Sequence, residues 1–424
     1  MTLDLKQCVA GVLTLSMFVM LGNMVKKDNF DYMVDTEFPN TSSLEKSDKH
    51  HPGIKLSEKT TTTVGEKLWK KDEDPLQPCW KKHLPNEKQQ SRGFIKFSLA
   101  NGPEFHHSQV SNAVVVAYYL GATLVLPDIK GNKADDKMKF DEIYDAKKFI
   151  QSLSGVINVM KKQPAESPHA GHPVVKVPNR VSTDYIKTHI EPKFRANGNL
   201  NIVTYFPAVN MRKENKSNEL DTIACLAMFG SLHLRPEVEE LVDSMVEKLR
   251  VFSDKPDGRF ISLDLRVEML DKKGCRSSED NTRKSCYNAV ETSQFLKNIG
   301  VSKDTTIYLT QTVWHNSLDA LRSSFPKLYT KADLMPADKK QIKMLGKSSE
   351  YEKIIDFYIC TESDVFVPAI SGFFYANVVG KRIAACKTQI LVPSQISNTS
   401  PTSASEYISP YVLRRNHFAY SCFC

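Results

Sequence analysis

From Glu352 to Arg382 the chain reads EKIIDFYICTESDVFVPAISGFFYANVVGKR. Ile354, Ile355, Tyr358 and Ile359 recur at helical spacing, and Asp364-Val-Phe-Val-Pro then reads as a short buried strand that proline cuts off. A Ser371-Gly372 step follows, and a second apolar helix is expected to run to Gly380. Strand, small-residue turn and helix in that order aim backbone N–H groups and the positive end of a helix at an anion such as phosphate. An ordinary αβα packing unit has the same order, so the neighbouring segments have to separate the two.

Immediately upstream the pattern repeats. Phe260-ISLDLR reads as a strand with Arg266 at its end, where a guanidinium suits bidentate contact to phosphate oxygens. A salt bridge from Arg266 to Asp264 or Glu268 is the plainer alternative. A helix from Ala289 to Asn298 stopped by Gly300, a strand from Thr305 to Leu309, a helix from Ser317 to Phe325 and a strand from Leu328 to Thr330 complete an α/β repeat.

The first half carries a matching unit. After Arg92, the spacing predicts a strand from Phe94 to Leu99, a loop at Asn101-Gly102-Pro103, a helix with Val110, Ala113, Val114 and Ala117 on one face, a stop at Gly121 and a strand from Thr123 to Leu126. This is a βαβ unit whose loop lies at the carboxyl end of its first strand, where open α/β sheets bind ligands. Glu104, His106, His107 and Gln109 crowd that loop, and a carboxylate or imidazole there can take the proton of an acceptor hydroxyl. Glu104 is the first candidate; an exposed loop residue or helix cap is the alternative for each. Pro236-EVEELVDSMVEKLR is the clearest amphipathic helix, and SDKPDG after it reads as a linker between two domains.

At 424 residues and 41% hydrophobic content the chain is long and apolar enough for two globular cores. The formal charge of +8 is spread along it, with no basic block interleaved with aromatics, which argues against nucleic acid as a partner. Between Lys6 and Lys26 no charged residue occurs, and that run spans roughly 29 Å as a helix, enough for one membrane pass. A cleaved signal peptide is the rival, without a clear A-x-A site to support it. Lys26 and Lys27 leave the orientation ambiguous by charge. Asn40, Asn215 and Asn398 match the N-glycosylation acceptor, and eight of nine cysteines lie beyond the apolar run, with Cys275 and Cys286 bracketing a polar stretch that suits a disulfide-stapled loop. These features favour a lumenal body. Metal binding by Cys422-Phe-Cys424 competes weakly with a disulfide role. Asp72-Glu73-Asp74 falls in a polar stem, where it reads as a solvated charge run, so no metal site is expected in the folded part.

Taken in order, NGPEFHHSQV, NAVVVAYYLGATLVLP, LDLRVEML, TIYLT and IDFYICTESDVFVPAISG resemble the plant O-fucosyltransferase-like glycosyltransferase family. Within it, the first of these loops and the ending YSCFC resemble its mannan synthesis-related group. The resemblance implies a GT-B-like α/β fold: two Rossmann-like domains facing a central cleft behind an N-terminal anchor and stem. The expected divisions are a cytosolic tail at 1–7, an anchor at 8–25, a stem at 26–85, an N-terminal domain at 86–250 on the acceptor side and a GDP-sugar-binding domain at 251–424. It also implies a single-pass type II Golgi membrane protein, and an inverting, metal-independent transfer from a GDP-sugar such as GDP-mannose to a polysaccharide acceptor in mannan or glucomannan synthesis. No cofactor is expected, and a mannan synthase is a further expected partner.

Carried over by position, Asn101 and Gly102 resemble the donor loop, Arg266 the arginine that neutralises the β-phosphate, Asp364 the carboxylate near the nucleoside, and Ser371, Gly372 and Phe373 the diphosphate turn. Glu104 is the expected base, with Asp264 or a nearby histidine behind it. Two positions depart from the family. The usual H-x-R reads Asp264-Leu-Arg266, and the usual GG-x-N loop reads NGPEF. A carboxylate beside a diphosphate adds like-charge repulsion, relieved if Asp264 pairs with Arg266 or faces the acceptor. The departures also motivate a second reading, a non-catalytic partner that stabilises or organises a mannan synthase; a third, an O-fucosyltransferase, differs in its acceptor.

Overall fold

The structure, a computed structural model, describes residues 67–69, 76–80, 91–131, 136–163, 173–213, 219–254, 257–273, 275, 285–335, 348–393 and 403–423. The expected anchor, the Asp72-Glu73-Asp74 run and the acceptor sites at Asn40, Asn215 and Asn398 lie outside these residues. Among the described residues no helix is long and apolar enough to cross a membrane.

Two parallel sheets organise the molecule. In chain order the first half supplies β1 (Phe94–Lys96), β2 (Ser98–Ala100), α1 (Pro103–Leu120), β3 (Thr123–Val125), β4 (Asp128–Lys130), β5 (Lys137–Lys139), β6 (Val159–Met160), β7 (Val174–Pro178), β8 (Asn199–Tyr205) and α2 (Pro236–Val251). The second half supplies β9 (Ile261–Asp264), α3 (Val267–Lys272), α4 (Ala289–Asn298), β10 (Ile307–Leu309), β11 (Leu328–Tyr329), α5 (Ser349–Glu362), β12 (Val365–Pro368) and α6 (Phe373–Ala384). One sheet runs β6-β3-β1-β8-β7 and the other β11-β10-β9-β12, with every pairing parallel. Every residue of β3, β9, β10 and β12 is buried, as strands covered by helices on both faces require.

The strand expected from Phe94 to Leu99 is in fact two. β1 pairs with β3 in the large sheet, whereas β2 pairs with β4 in a small three-stranded sheet. Side-chain alternation continues across the break, with Ile95, Phe97 and Leu99 all buried. The partner strand is what changes: Pro127, between β3 and β4, has no N–H to offer the ladder.

The last helix also departs from expectation. α6 continues through Gly380 to Ala384. Gly380 serves close packing there, since a Cβ would come within 2.7 Å of the His417 ring. His417 Nε2 lies 3.0 Å from the Ala376 carbonyl and its Nδ1 accepts the Ala419 N–H, which docks the chain's end on α6.

α5 joins the two halves. Its Tyr351, Ile354, Ile355 and Ile359 pack in the core of the first sheet, while Phe357 and Cys360 join the cluster formed by α6 and the C-terminal segment. Cys275 and Cys286 form a disulfide, as the stapled loop required. Cys422 pairs with Cys225, 197 residues away, so its sulfur is not available to a metal.

Candidate active site

In both parallel sheets the chain leaves a strand's carboxyl end and meets one cleft of about 490 Å³. Phe206 and Ala208 follow β8, Arg266 follows β9, Thr310 follows β10, and Ser371, Gly372 and Phe373 follow β12, while Asn101 and Glu104 follow β2 of the small sheet. The amino-terminal part of α5 adds Glu352, Lys353 and Asp356. The geometry follows from strand direction, because a parallel sheet gathers its ligand loops at one edge.

α1 and α6 both begin at this cleft, each behind a glycine. Gly102 has φ 103° and Gly372 φ 137°, and neither offers a side chain to the first N–H groups. At Gly102 a Cβ would stand 2.6 Å from Glu104 Oε2 and 3.1 Å from Lys353 Cδ, so a side chain there would displace the Glu104 carboxylate. Pro103 occupies the first helical position, where its missing N–H is harmless. Phe105 stacks on Phe373 with centroids 4.8 Å apart, and Phe206 meets both rings edge-on, so aromatic contact joins the starts of the two helices.

Glu104 is 6% exposed, and its Oε2 is buried with no hydrogen-bond partner among the described residues. Burial pushes its carboxyl up to about 7 against the opposing pull of Arg266, its own backbone N–H and Lys353. A carboxyl poised near neutrality, with one oxygen unengaged and lining a cleft, is fitted to accept a proton from a bound hydroxyl.

Arg266 is held by Asp264. Its Nε donates to Asp264 Oδ1 at 3.0 Å and a terminal nitrogen reaches Oδ2 at 3.4 Å, while the guanidinium lies 4.7 Å from the Phe374 ring centre. Burial alone would weaken the arginine's hold on its proton, but Asp264 and Glu104 outweigh it and keep the guanidinium charged. Asp264 is fully buried and also accepts the Thr310 hydroxyl at 3.0 Å. Burial raises its carboxyl, and Arg266 and Thr310 work against that rise. Of the two ways to relieve the departure from H-x-R, the chain uses pairing: Asp264, expected behind Glu104 as a base, is instead fully buried and orients Arg266.

Two further expectations are corrected. Asp364 does not line the cleft. It precedes β12, whereas the cleft lies beyond the strand's other end, and its Oδ2 accepts the Phe260 N–H at 3.0 Å and faces Arg250 at 3.4 Å. His106, His107 and Gln109 belong to buried turns of α1, not to an exposed loop: His106 bonds Tyr144, His107 bonds the Met228 carbonyl, and Gln109 accepts the Ala100 N–H. Burial lowers His106 to about 3, which keeps it neutral. Asn101, Ser371, Gly372 and Phe373 do line the cleft, and Gly102 shapes its turn.

Sequence reasoning missed Phe105, Phe206, Thr310, Lys353 and the buried Glu350 behind them. The one available signal was the Glu350-x-x-Lys353 spacing at the start of α5. Among the described residues no three His, Cys, Asp or Glu side chains come together where they could hold a metal ion.

Residues 105–385 match the model of the GDP-fucose protein O-fucosyltransferase family, and the chain belongs to that glycosyltransferase family. The match begins one residue after Glu104 and takes in Arg266, Ser371 and Gly372, so the resemblance read from the ordered motifs is borne out. Over 100% of both chains it is 51% identical to Protein MANNAN SYNTHESIS-RELATED 1 of Arabidopsis thaliana and 45% identical to Protein MANNAN SYNTHESIS-RELATED of Trigonella foenum-graecum. Among solved structures it is similar to the apo form of POFUT1, with 12% identity and a TM-score of 0.45 over 73% of this chain and 100% of that one.

Proposed function

We propose that this protein is a glycosyltransferase that moves a sugar from a GDP-sugar, GDP-mannose in the first instance, to a polysaccharide acceptor in mannan or glucomannan synthesis. It would act from the Golgi membrane, with its folded body in the lumen and with inversion at the anomeric carbon. The observation that carries this reading is the unpartnered, buried Glu104 Oε2 in the same cleft as Arg266. The full-length identity to relatives named for mannan synthesis supports the acceptor class.

In this reading the acceptor oxygen bonds to the anomeric carbon as the bond from that carbon to the β-phosphate oxygen breaks. Glu104 takes the hydroxyl proton, and the electron pair of the broken bond leaves with GDP. Arg266 and the amino ends of α1 and α6 are fitted to receive that charge without reorganising. Asp264 would fix the guanidinium in position before the donor arrives. No metal step is required by this scheme, because the cationic groups are the protein's own.

The test is transfer from GDP-mannose to manno-oligosaccharides by the full-length protein and by E104Q and R266K. Loss of roughly 10²–10³-fold in kcat in both variants is expected. Full activity in E104Q would overturn the assignment of the base. A second reading, a fucosyl donor, is favoured by the family's own description, which names GDP-fucose. Turnover with GDP-fucose and none with GDP-mannose in the same assay would select it.

A further inference from the structure

Behind the cleft lies a buried polar chain that the proposed chemistry does not use. Glu350, at the start of α5, is fully buried, yet it belongs to a helix whose later turns pack elsewhere. Its Oε1 accepts from Lys353 Nζ at 2.5 Å, and its Oε2 faces His106 Nε2 at 3.5 Å. The Gly102 N–H lies near enough to favour the ionised Glu350 carboxylate, and the Lys353 side chain that Glu350 holds passes within 3.1 Å of where a Gly102 Cβ would stand. His106 in turn bonds the Tyr144 hydroxyl through Nδ1 at 2.8 Å. A neutral imidazole whose Nδ1 accepts from Tyr144 carries its proton on Nε2, facing the carboxylate.

We propose that Glu350 is the positioning residue of Glu104: from α5 it grips the Gly102 turn and the first turn of α1, and so fixes where the Glu104 carboxylate points and which charges it faces. Gly102 and His106 flank Glu104 at two residues' distance on either side, so both ends of its turn face one buried anion. A carboxylate placed there is costly to bury and would be replaced by an apolar side chain if packing alone were needed. Its negative charge lies close enough to favour the protonated form of Glu104, while Lys353 and Arg266 favour the ionised form. Around Glu350 itself the facing groups are Lys353 on its own helix, His106 on α1 and Asp136, which adds like charge.

This inference rests on Glu104 being the proton acceptor, and two opposed substitutions test it separately from that reading. In the full-length protein carrying ¹³C-carboxyl glutamate, the Glu104 resonance is identified by its loss in E104Q and titrated directly. E350Q removes a nearby negative charge, so the Glu104 midpoint is expected to move down by about half a pH unit or more. K353M removes a nearby positive charge, so it is expected to move up. In turnover, E350Q should lower kcat, leave the donor KM within about twofold, and shift the acid limb of the pH profile as the resonance shifts. Midpoints that stay put, or that move the same way in both variants, overturn the proposal. If E350Q fails to fold, E350D, which keeps the charge but shortens its reach to the Gly102 turn, decides it: a lowered kcat is expected, and an unchanged kcat overturns the proposal. If E104Q keeps full activity while the opposed shifts appear, the base assignment fails and the positioning role stands.

Discussion

Glu104 has a carboxyl whose raised proton affinity can be read in two ways. As a base it has to be ionised, so kcat/KM is expected to fall on the acid side of about pH 7, where the buried carboxyl takes up its proton. A pH–rate profile whose acid limb disappears in E104Q checks this. For stability the sign is opposite. The folded carboxyl binds its proton more tightly than the unfolded one, so its contribution is fully present below the ordinary glutamate range and is lost as pH rises through about 7. E104Q, which cannot ionise, should therefore be more stable than the parent at pH 8, by on the order of 3 kcal/mol at most, with the gap closing as pH falls towards 4.5. Urea melts at the two pH values would show it.

The pair beside it makes a second prediction at this scale. R266A leaves Asp264 buried without its cation and is expected to cost about 3 kcal/mol, much of which D264N should restore. A double-mutant cycle by urea denaturation measures that coupling. R266K is the better probe of chemistry, since it keeps the charge and loses only the fork.

At the scale of elements, α5 is closed by a residue from α6. Arg382 is fully buried and donates to the carbonyls of Cys360, Thr361, Ser363, Asp364 and Gln389 at 2.6–3.2 Å. These acceptors include the orphan carbonyls at the helix's carboxyl end and just beyond, where a cation also meets the favourable end of the dipole. R382M would leave several of these carbonyls buried and unpaired, at an expected cost of roughly 3–5 kcal/mol in urea denaturation. The amino end of α1 is equally exacting. G102A must place a Cβ at φ 103° and within 2.6 Å of Glu104 Oε2. A stability loss of about 1–3 kcal/mol, with a larger loss of turnover than of donor affinity, is expected from urea melts and steady-state kinetics.

At the scale of the whole molecule, the cleft exists because two separately wound parallel sheets point their carboxyl ends at each other, with α5 packed against both. The Cys225–Cys422 disulfide ties the chain's end back to the first half across 197 residues. Removing a cross-link that closes so long a loop, as in C225S/C422S, should cost about 2–5 kcal/mol, read as a lower urea midpoint. The same double substitution tests whether the C-terminal segment holds α6 in place, since His417 and Phe418 pack on it.

Much of this was legible beforehand, for a physical reason that also marks where legibility stops. Periodicity, proline and glycine gave the helices and strands of both halves, because those signals are local; Ala289–Asn298 and Pro236–Val251 are close to where spacing put them. Glu104, Arg266 and Ser371-Gly372 could be singled out because each follows a strand's carboxyl end, and strand direction is itself a sequence property once the sheets are parallel. What the sequence could not give was partnership across long separations. Asp364 and Asp264 look alike as acidic residues beside strands, yet one lies before its strand and faces Arg250, and the other is enclosed by Arg266 and Thr310. The segment from Glu352 to Arg382 predicted its own helix, strand and turn, but only packing made Arg382 the cap of the helix at its start and set Glu350, two residues before it, beneath the turn that carries Glu104. Local spacing fixes which elements form; which buried charges meet depends on burial, and burial is decided only when the elements pack.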